Sequence, residues 1–124
     1  MHRSRLHVFL IDSPPETADA GIAFWSAALG KTPEPAEGTP YTLLSRLEGG
    51  EMLAHQRMEE GQARVHLDLE TDDVPAEVAR LEALGATRTG EADGCVHLLD
   101  PTGLVFCVVP TQSEDFTEHA TVWP

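Results

Sequence analysis

The period of apolar and polar positions changes several times along the chain. Leu6 to Ile11 is a short β-prone run, closed by Asp12-Ser13-Pro14-Pro15, where two successive prolines break any regular element. Thr17 is placed to cap a helix that runs to about Leu29. Its apolar positions Ile22, Trp25, Ala28 and Leu29 recur at steps of three and four and predict one buried stripe. Gly30 follows, where a helix C-terminus favours a residue that tolerates a left-handed backbone. Residues 33–40 are rich in Pro, Gly and Glu and read as a loop. Tyr41 to Leu47 and Glu51 to Met58 read as two strands around a Gly49-Gly50 turn. Glu59-Glu60-Gly61-Gln62 is a polar connector between halves.

The second half repeats this order. Arg64 to Glu70 alternates, with Val65, Leu67 and Leu69 on one face and His66 and Asp68 on the other, the pattern of a half-buried strand. Asp72 or Asp73 caps the next helix, Pro75 falls in its first turn, and Val74, Val78, Leu81 and Leu84 predict its buried face. Gly85 ends it, and short strands follow near Ala86 to Thr89 and Val96 to Leu99. Asp100-Pro101-Thr102-Gly103 has the residue preferences of a type I turn. Leu104 to Val109 is continuously apolar and reads as a buried strand stopped by Pro110. The remainder, 111–124, is an acidic polar tail that is either loose or docked on a partner subunit, with Phe116 and Trp123 as isolated large apolar groups. Ala28-Leu29-Gly30-Lys31-Thr32 echoes Ala83-Leu84-Gly85-Ala86-Thr87, and a His-bearing strand precedes each helix: Leu6-His7-Val8 and Val65-His66-Leu67. The matched order of whole elements favours an internal duplication over a chance match.

Composition narrows the classes of partner. With 124 residues and 41 % apolar content the chain suits one folded domain. A formal charge of −13 disfavours nucleic acid and anionic membranes, both of which are held mainly by Lys and Arg. A neutral or cationic ligand is easier to accommodate, although the same charge also serves solubility alone. No apolar run approaches a membrane span, and Val8 to Ile11 is too short for the core of a signal peptide. Two cysteines, Cys95 and Cys107, suit free thiols in a reducing cytoplasm, the expected location.

Three segments resemble the vicinal oxygen chelate superfamily. Phe24-Trp25-Ser26-Ala27-Ala28-Leu29-Gly30 is similar to its first-helix signature. His66-Leu67-Asp68-Leu69-Glu70-Thr71-Asp72-Asp73 with Leu84-Gly85-Ala86 resembles the opening of its second module, and Asp100-Pro101-Thr102-Gly103-Leu104-Val105-Phe106 the turn into its last strand. Within that group the glyoxalase-like and bleomycin-resistance-like branch is the nearest match. The resemblance implies an α+β fold of two βαβββ modules, about 5–58 and about 64–110, forming curled mixed sheets around a cleft within one domain of residues 1–110, and a homodimer.

The resemblance also implies where chemistry sits. Metal-dependent members hold one divalent ion (Zn, Ni, Mn or Fe) with His or carboxylate groups from the first and last strands of the modules. Carried over, His7 and His66 match the two first-strand ligands, and His55 or Gln56 the ligand of the strand from Glu51 to Met58. The last-strand position, usually Glu and both ligand and base in the glyoxalases, falls on Cys107, where a neutral thiol does neither job well and a thiolate would ligate Zn. His97 is a further ligand contact or a strand histidine satisfied by its neighbours; Asp68 is an orienting partner of His66 or a surface charge. His2 and His119, near the termini, read as solvated.

Two functions from different classes follow. One is a binding protein of the bleomycin-resistance type that holds a small molecule in a dimeric cleft without chemistry; the missing last-strand Glu and the acidic charge favour it. The other is a metal-dependent lyase or isomerase acting on a small oxygenated substrate, favoured by His7 and His66. A scaffold with a degenerate cleft is a third reading.

Overall fold

A computed structural model describes residues 1–124, in nine strands and three helices. The chain forms two compact units: Val8–His66, and Met1–His7 with Leu67–Pro124. Two strands, β1 (His2–Ser13) and β5 (Arg64–Thr71), run unbroken through the points of division.

In the unit Val8–His66, β1 leads into α1 (Pro15–Leu29), followed by β2 (Glu34–Pro35), β3 (Tyr41–Arg46) and β4 (Met52–Arg57). β1 pairs parallel with β4, from Val8↔Met52 to Ser13↔Arg57; β4 pairs antiparallel with β3, and β3 with β2. The strand order is therefore first, fourth, third, second. The short strand β2 lies within the expected 33–40 loop. Asp12 and Ser13 do not end β1 as expected but remain in it; the break comes at Pro14, and Pro15 takes the first helical position, where a missing N–H costs nothing. Gly30 adopts φ +67°, and the N–H groups of Gly30 and Lys31 donate to the carbonyls of Ala27 and Ser26.

The seat of α1 differs from the expected stripe. Ala18 and Ser26 are buried, whereas Trp25 is 37 % exposed and Leu29 and Phe24 more so. A Cβ on Gly21 would stand 3.6 Å from Ser13 Oγ and 3.8 Å from His55 Nε2, so the inner face of α1 is its small residues laid over a polar floor. Trp25 turns outward and packs edge-on against Phe24, with centroids 5.1 Å apart. The apolar cluster of this unit, Val8, Leu10 and Ala54 with Met52, lies on the alternate strand positions to Ser13 and His55.

The other unit repeats the order. β5 is followed by α2 (Val74–Ala83), β6 (Thr87–Ala92), β7 (Cys95–Leu99) and β8 (Val105–Pro110). β5 is parallel to β8, β8 antiparallel to β7, and β7 antiparallel to β6, again first, fourth, third, second. The duplication read from the sequence is thus present as strand pairing. Asp73 caps α2 by accepting the Ala76 N–H at 3.0 Å. Beneath α2 lies an apolar core of Val78, Val96, Leu98, Phe106 and Val108, joined by Leu67, Leu69, Val74, Leu81 and Ala86. Leu98 and Val108 are wholly excluded from solvent, each such side chain contributing about 1.5–3 kcal/mol. Leu84 is not part of that face: it is the C-cap residue and 67 % exposed. Val65 is likewise exposed at the outer end of β5. Asp100 Oδ1 accepts from the N–H groups of Thr102 and Leu104, which shapes the turn before β8.

The segment read as a tail docks on its own chain. α3 (Phe116–His119) buries Phe116, and β9 (Thr121–Trp123) pairs antiparallel with the start of β1, His2 opposite Trp123. Trp123 Nε1 donates to Ser4 Oγ at 2.9 Å, and the Arg80 guanidinium stacks 3.8 Å above the Trp123 ring. Phe116 and Trp123 are the apolar anchors of this otherwise polar segment. None of the helices is long and apolar enough to cross a membrane.

Candidate functional site

Strand alternation divides β5, β7 and β8 into two faces. Leu67 and Leu69, Val96 and Leu98, and Phe106 and Val108 enter the core beneath α2. His66, Asp68 and Glu70, Cys95 and His97, and Cys107 occupy the alternate positions, on the face away from that helix. Strand register aligns three of them in one row: Asp68 pairs with Cys107, and Cys107 with His97. Cys107 is buried, and its Sγ lies 3.3 Å from His97 Nδ1. His66 stands two residues before Asp68 on the same strand. One donor atom each from His66, Asp68 and Cys107 lies within 4.8 Å of the others. Burial pushes the Cys95 thiol up, with Asp68 and Cys107 adding to the shift. Neither cysteine is in a disulfide.

His66 is held from the other side. Its Nδ1 lies 2.6 Å from Oδ2 of Asp12, a carboxylate with no solvent exposure that also accepts from Arg64 Nε at 3.2 Å. Donation by Nδ1 to this carboxylate puts the imidazole lone pair on Nε2 and fixes the ring, the role that carboxylates play behind metal-binding or substrate-binding histidines. Asp12 is thus an orienting partner of His66. In the sequence Asp12 stands beside two prolines and looks like a turn residue, so no local signal marks it.

His7 and His55 make contacts of their own. His55 Nε2 is bonded to Ser13 Oγ at 2.5 Å beside Gly21 of α1, and Gln56 occupies the opposite strand face. Burial lowers the His55 pKa below its ordinary 6.5, and nearby Arg57 adds to the shift. The one-residue register choice in β4 therefore assigns His55 to the seat of α1. His7 is buried with Nδ1 3.5 Å from Glu70 Oε2, beyond a good hydrogen bond. Neither belongs to the group of neighbouring metal-capable donors, which is His66, Asp68 and Cys107.

Glu70 is the centre of a second network that sequence reading missed. It is fully buried, and accepts from Arg5 Nε at 2.8 Å, Ser113 Oγ at 2.5 Å and the N–H groups of Gln112 and Ser113. Burial works to raise its pKa, but the hydrogen bonds from Ser113, Gln112 and Arg5 outweigh it and hold the carboxyl below the usual range. Arg5 also donates to Asp115, so the network ties the C-terminal segment to β1 and β5. Every Glu70 lone pair in reach is used, which makes this a structural anchor. In sequence, partners separated by 65 residues carry no recognisable spacing.

A separate groove of about 330 Å³ lies in the unit Val8–His66, lined in part by Ile22, Pro33, Pro40, Tyr41 and Arg57. The Arg57 guanidinium there is paired with Asp19. None of His7, His55, His66, His97 or Cys107 lines this groove.

Two units, each with a helix after its first strand and a parallel pairing of first with fourth strand, define the paired βαβββ architecture of the glyoxalase/bleomycin-resistance fold. The chain belongs to the glyoxalase-like domain family, whose sequence profile matches residues 8–109. Among solved structures it is similar to the NAD-dependent benzaldehyde dehydrogenase structure from Legionella pneumophila, with a TM-score of 0.61 at 12 % identity over 84 % of this chain and 99 % of that one. It is also similar to hypothetical protein BH1468 from Bacillus halodurans C-125, with a TM-score of 0.61 at 9 % identity over 90 % and 96 % of the two chains. A methylmalonyl-CoA epimerase matches with a TM-score of 0.53 at 12 % identity over 87 % and 95 %. At these identities the likeness is one of fold. No curated protein is significantly similar in sequence.

The superfamily commonly binds a divalent ion. An all-His and carboxylate set at His7, His55, His66 and the last strand does not fit: Cys107 supplies sulfur where the family has a carboxylate, and His55 is bonded to Ser13. A set including a thiol fits the cluster around Cys107.

Proposed function

We propose that the protein binds a small neutral or cationic molecule, in the manner of the bleomycin-resistance type, and that His66, Asp68, Cys107 and His97 form the polar part of its site. The observation that carries this reading is the register row Asp68–Cys107–His97 on a strand face that α2 leaves uncovered, opposite a fully apolar face. A few convergent polar groups on an otherwise apolar scaffold are what orients a small ligand. The overall charge of −13 favours a cation over an anion. We further propose that the binding cleft is dimeric and that the protein works in the cytoplasm; the two free thiols support a reducing compartment.

Binding is tested by screening a panel of small organic cations and neutral polar compounds for a rise in unfolding temperature, with wild type beside Asp68→Asn and His97→Ala. A genuine ligand stabilises wild type in proportion to the logarithm of its concentration above Kd and loses that effect in both variants. Ligands that stabilise all three proteins equally would contradict the site, and a monomer by light scattering would contradict the dimeric cleft.

The alternative is a metal-dependent lyase or isomerase acting on a small oxygenated substrate, favoured by the proximity of His66 to Asp68 and Cys107. A bound divalent ion would supply Lewis-acid polarisation of substrate oxygens. Within the chain, His66 backed by Asp12 is the group able to hold or pass a proton; Cys107 in place of a carboxylate argues against the glyoxalase form of that chemistry.

A further inference from the structure

We propose that the groove of the unit Val8–His66 is a second binding site, for a free α-amino acid with an apolar, preferably aromatic, side chain. This goes beyond the small-molecule reading above and does not require it: none of the side chains around Cys107 lines the groove. At about 330 Å³ the space is at the small end of ligand pockets and suits one small molecule. Its walls are set in advance. Pro33, Pro35 and Pro40 fix the backbone of the loop, and β2 pairs Pro35 with Thr42 of β3. The Ala36 N–H donates to the Tyr41 carbonyl at 3.0 Å, Thr39 Oγ1 to the Ala36 carbonyl at 2.7 Å, and the Arg57 N–H to the Pro40 carbonyl at 2.8 Å. A wall already ordered spares a ligand the cost of ordering it. Gln56 Nε2 donates to Tyr41 Oη at 3.3 Å, and the exposed Tyr41 ring, Ile22 and the prolines supply the apolar surface.

Charge selects the ligand. Within the lining the Arg57 guanidinium donates to the Asp19 carboxylate, and both side chains reach solvent. An exposed ion pair contributes little to stability, so exchanging its partners for those of a ligand costs little. A zwitterion satisfies both ends of the opened pair: its carboxylate takes the guanidinium, and its ammonium takes the Asp19 carboxylate. The two protein charges are in contact, so the two ligand charges must also be close. One α-carbon holds them so, whereas a peptide carries them at opposite ends. Glu37 also lines the groove and leaves carboxylates in excess of guanidinium, which disfavours a ligand with only a carboxylate. A simple amine offers Arg57 nothing in exchange for Asp19.

The test titrates the full chain with L-phenylalanine, following backbone amide shifts by NMR and affinity by calorimetry. Saturable shifts should concentrate in residues 33–42 and at Asp19, Ile22 and Arg57. Phenethylamine and N-acetylphenylalanine, each lacking one charge, and the dipeptide Phe-Phe, with its charges apart, should each bind at least about tenfold more weakly, the loss expected for one charge-assisted hydrogen bond. Asp19→Asn and Arg57→Gln should weaken L-phenylalanine by a similar factor, Tyr41→Leu should weaken it without altering the rank of the ligands, and Asp68→Asn and His97→Ala should leave it unchanged. Circular dichroism checks the fold of each variant, and the ligand series on wild type decides the matter without any variant. Absence of saturable shifts in residues 33–42, phenethylamine or Phe-Phe binding as tightly as L-phenylalanine, or full affinity in Asp19→Asn would overturn the assignment. Failure here is distinguishable from failure of the site around Cys107, because that site is read through Asp68→Asn and His97→Ala.

Discussion

α1 and α2 hold equivalent places in the repeat, yet they rest on opposite kinds of surface. α2 covers Val96, Leu98, Phe106 and Val108, a floor without a polar side chain. α1 covers the Ser13–His55 pair and meets it with Ala18, Gly21 and Ser26, while Phe24, Trp25 and Leu29 face outward. The same backbone plan thus accepts a large-residue seat and a small-residue seat. In the second unit the helix side takes the apolar residues, and the polar ones are left to the other face of the sheet, where Asp68, Cys107 and His97 align. In the first unit a polar pair is committed to the helix side, which removes His55 from the candidate chemistry.

Substitutions separate these seats. Leu98→Ala should cost the most, about 2–5 kcal/mol in urea denaturation, because it opens a cavity in the seat of α2. Ala18→Leu should cost about 1–3 kcal/mol, since the fully buried Ala18 has no room for three more carbons; a neutral effect would mean that the seat of α1 is not close-packed. Acidification sharpens the comparison. His55 has a folded-state pKa below 6.5, so the unfolded chain binds the proton more readily. The stability His55 contributes is present above pH 6.5 and is lost as pH falls through the lowered folded-state value. Denaturation midpoints measured downward from pH 7.5 should therefore decline less steeply for His55→Gln than for wild type. Trp25→Ala should have the smallest effect, within about 0.5 kcal/mol, because its ring meets solvent and Phe24.

Much of the architecture was legible in residues that impose a local conformation. Pro14-Pro15, Gly30, Asp73 and the Asp100–Gly103 turn lie where their backbone chemistry directs, and the alternation of Arg64 to Glu70 correctly put His66 and Asp68 on one face. The rotation of α1 was not legible: periodicity identifies an apolar stripe, in which Trp25 falls by its spacing, but not whether a helix approaches closely enough to need small residues. The docked C-terminal segment escaped notice because its anchors are long-range, Arg5 to Asp115 and Ser4 to Trp123. The candidate site was half visible. His66 and Cys107 could be named from the family resemblance and His97 from its strand, but Asp12 acts on His66 from 54 residues away and His55 depended on a one-residue register.

Six histidines give the molecule its own reporters. A long-range proton–nitrogen NMR spectrum of the side chains, recorded through a titration with a small organic cation that stabilises the wild-type protein, tests the central claim that the chemistry lies on the β5–β8–β7 face. The ring nitrogens of His66 and His97 should shift together and saturate at one equivalent, with His2, His7, His55 and His119 unmoved. Joint shifts of His7 and His55, with His97 unchanged, would contradict it.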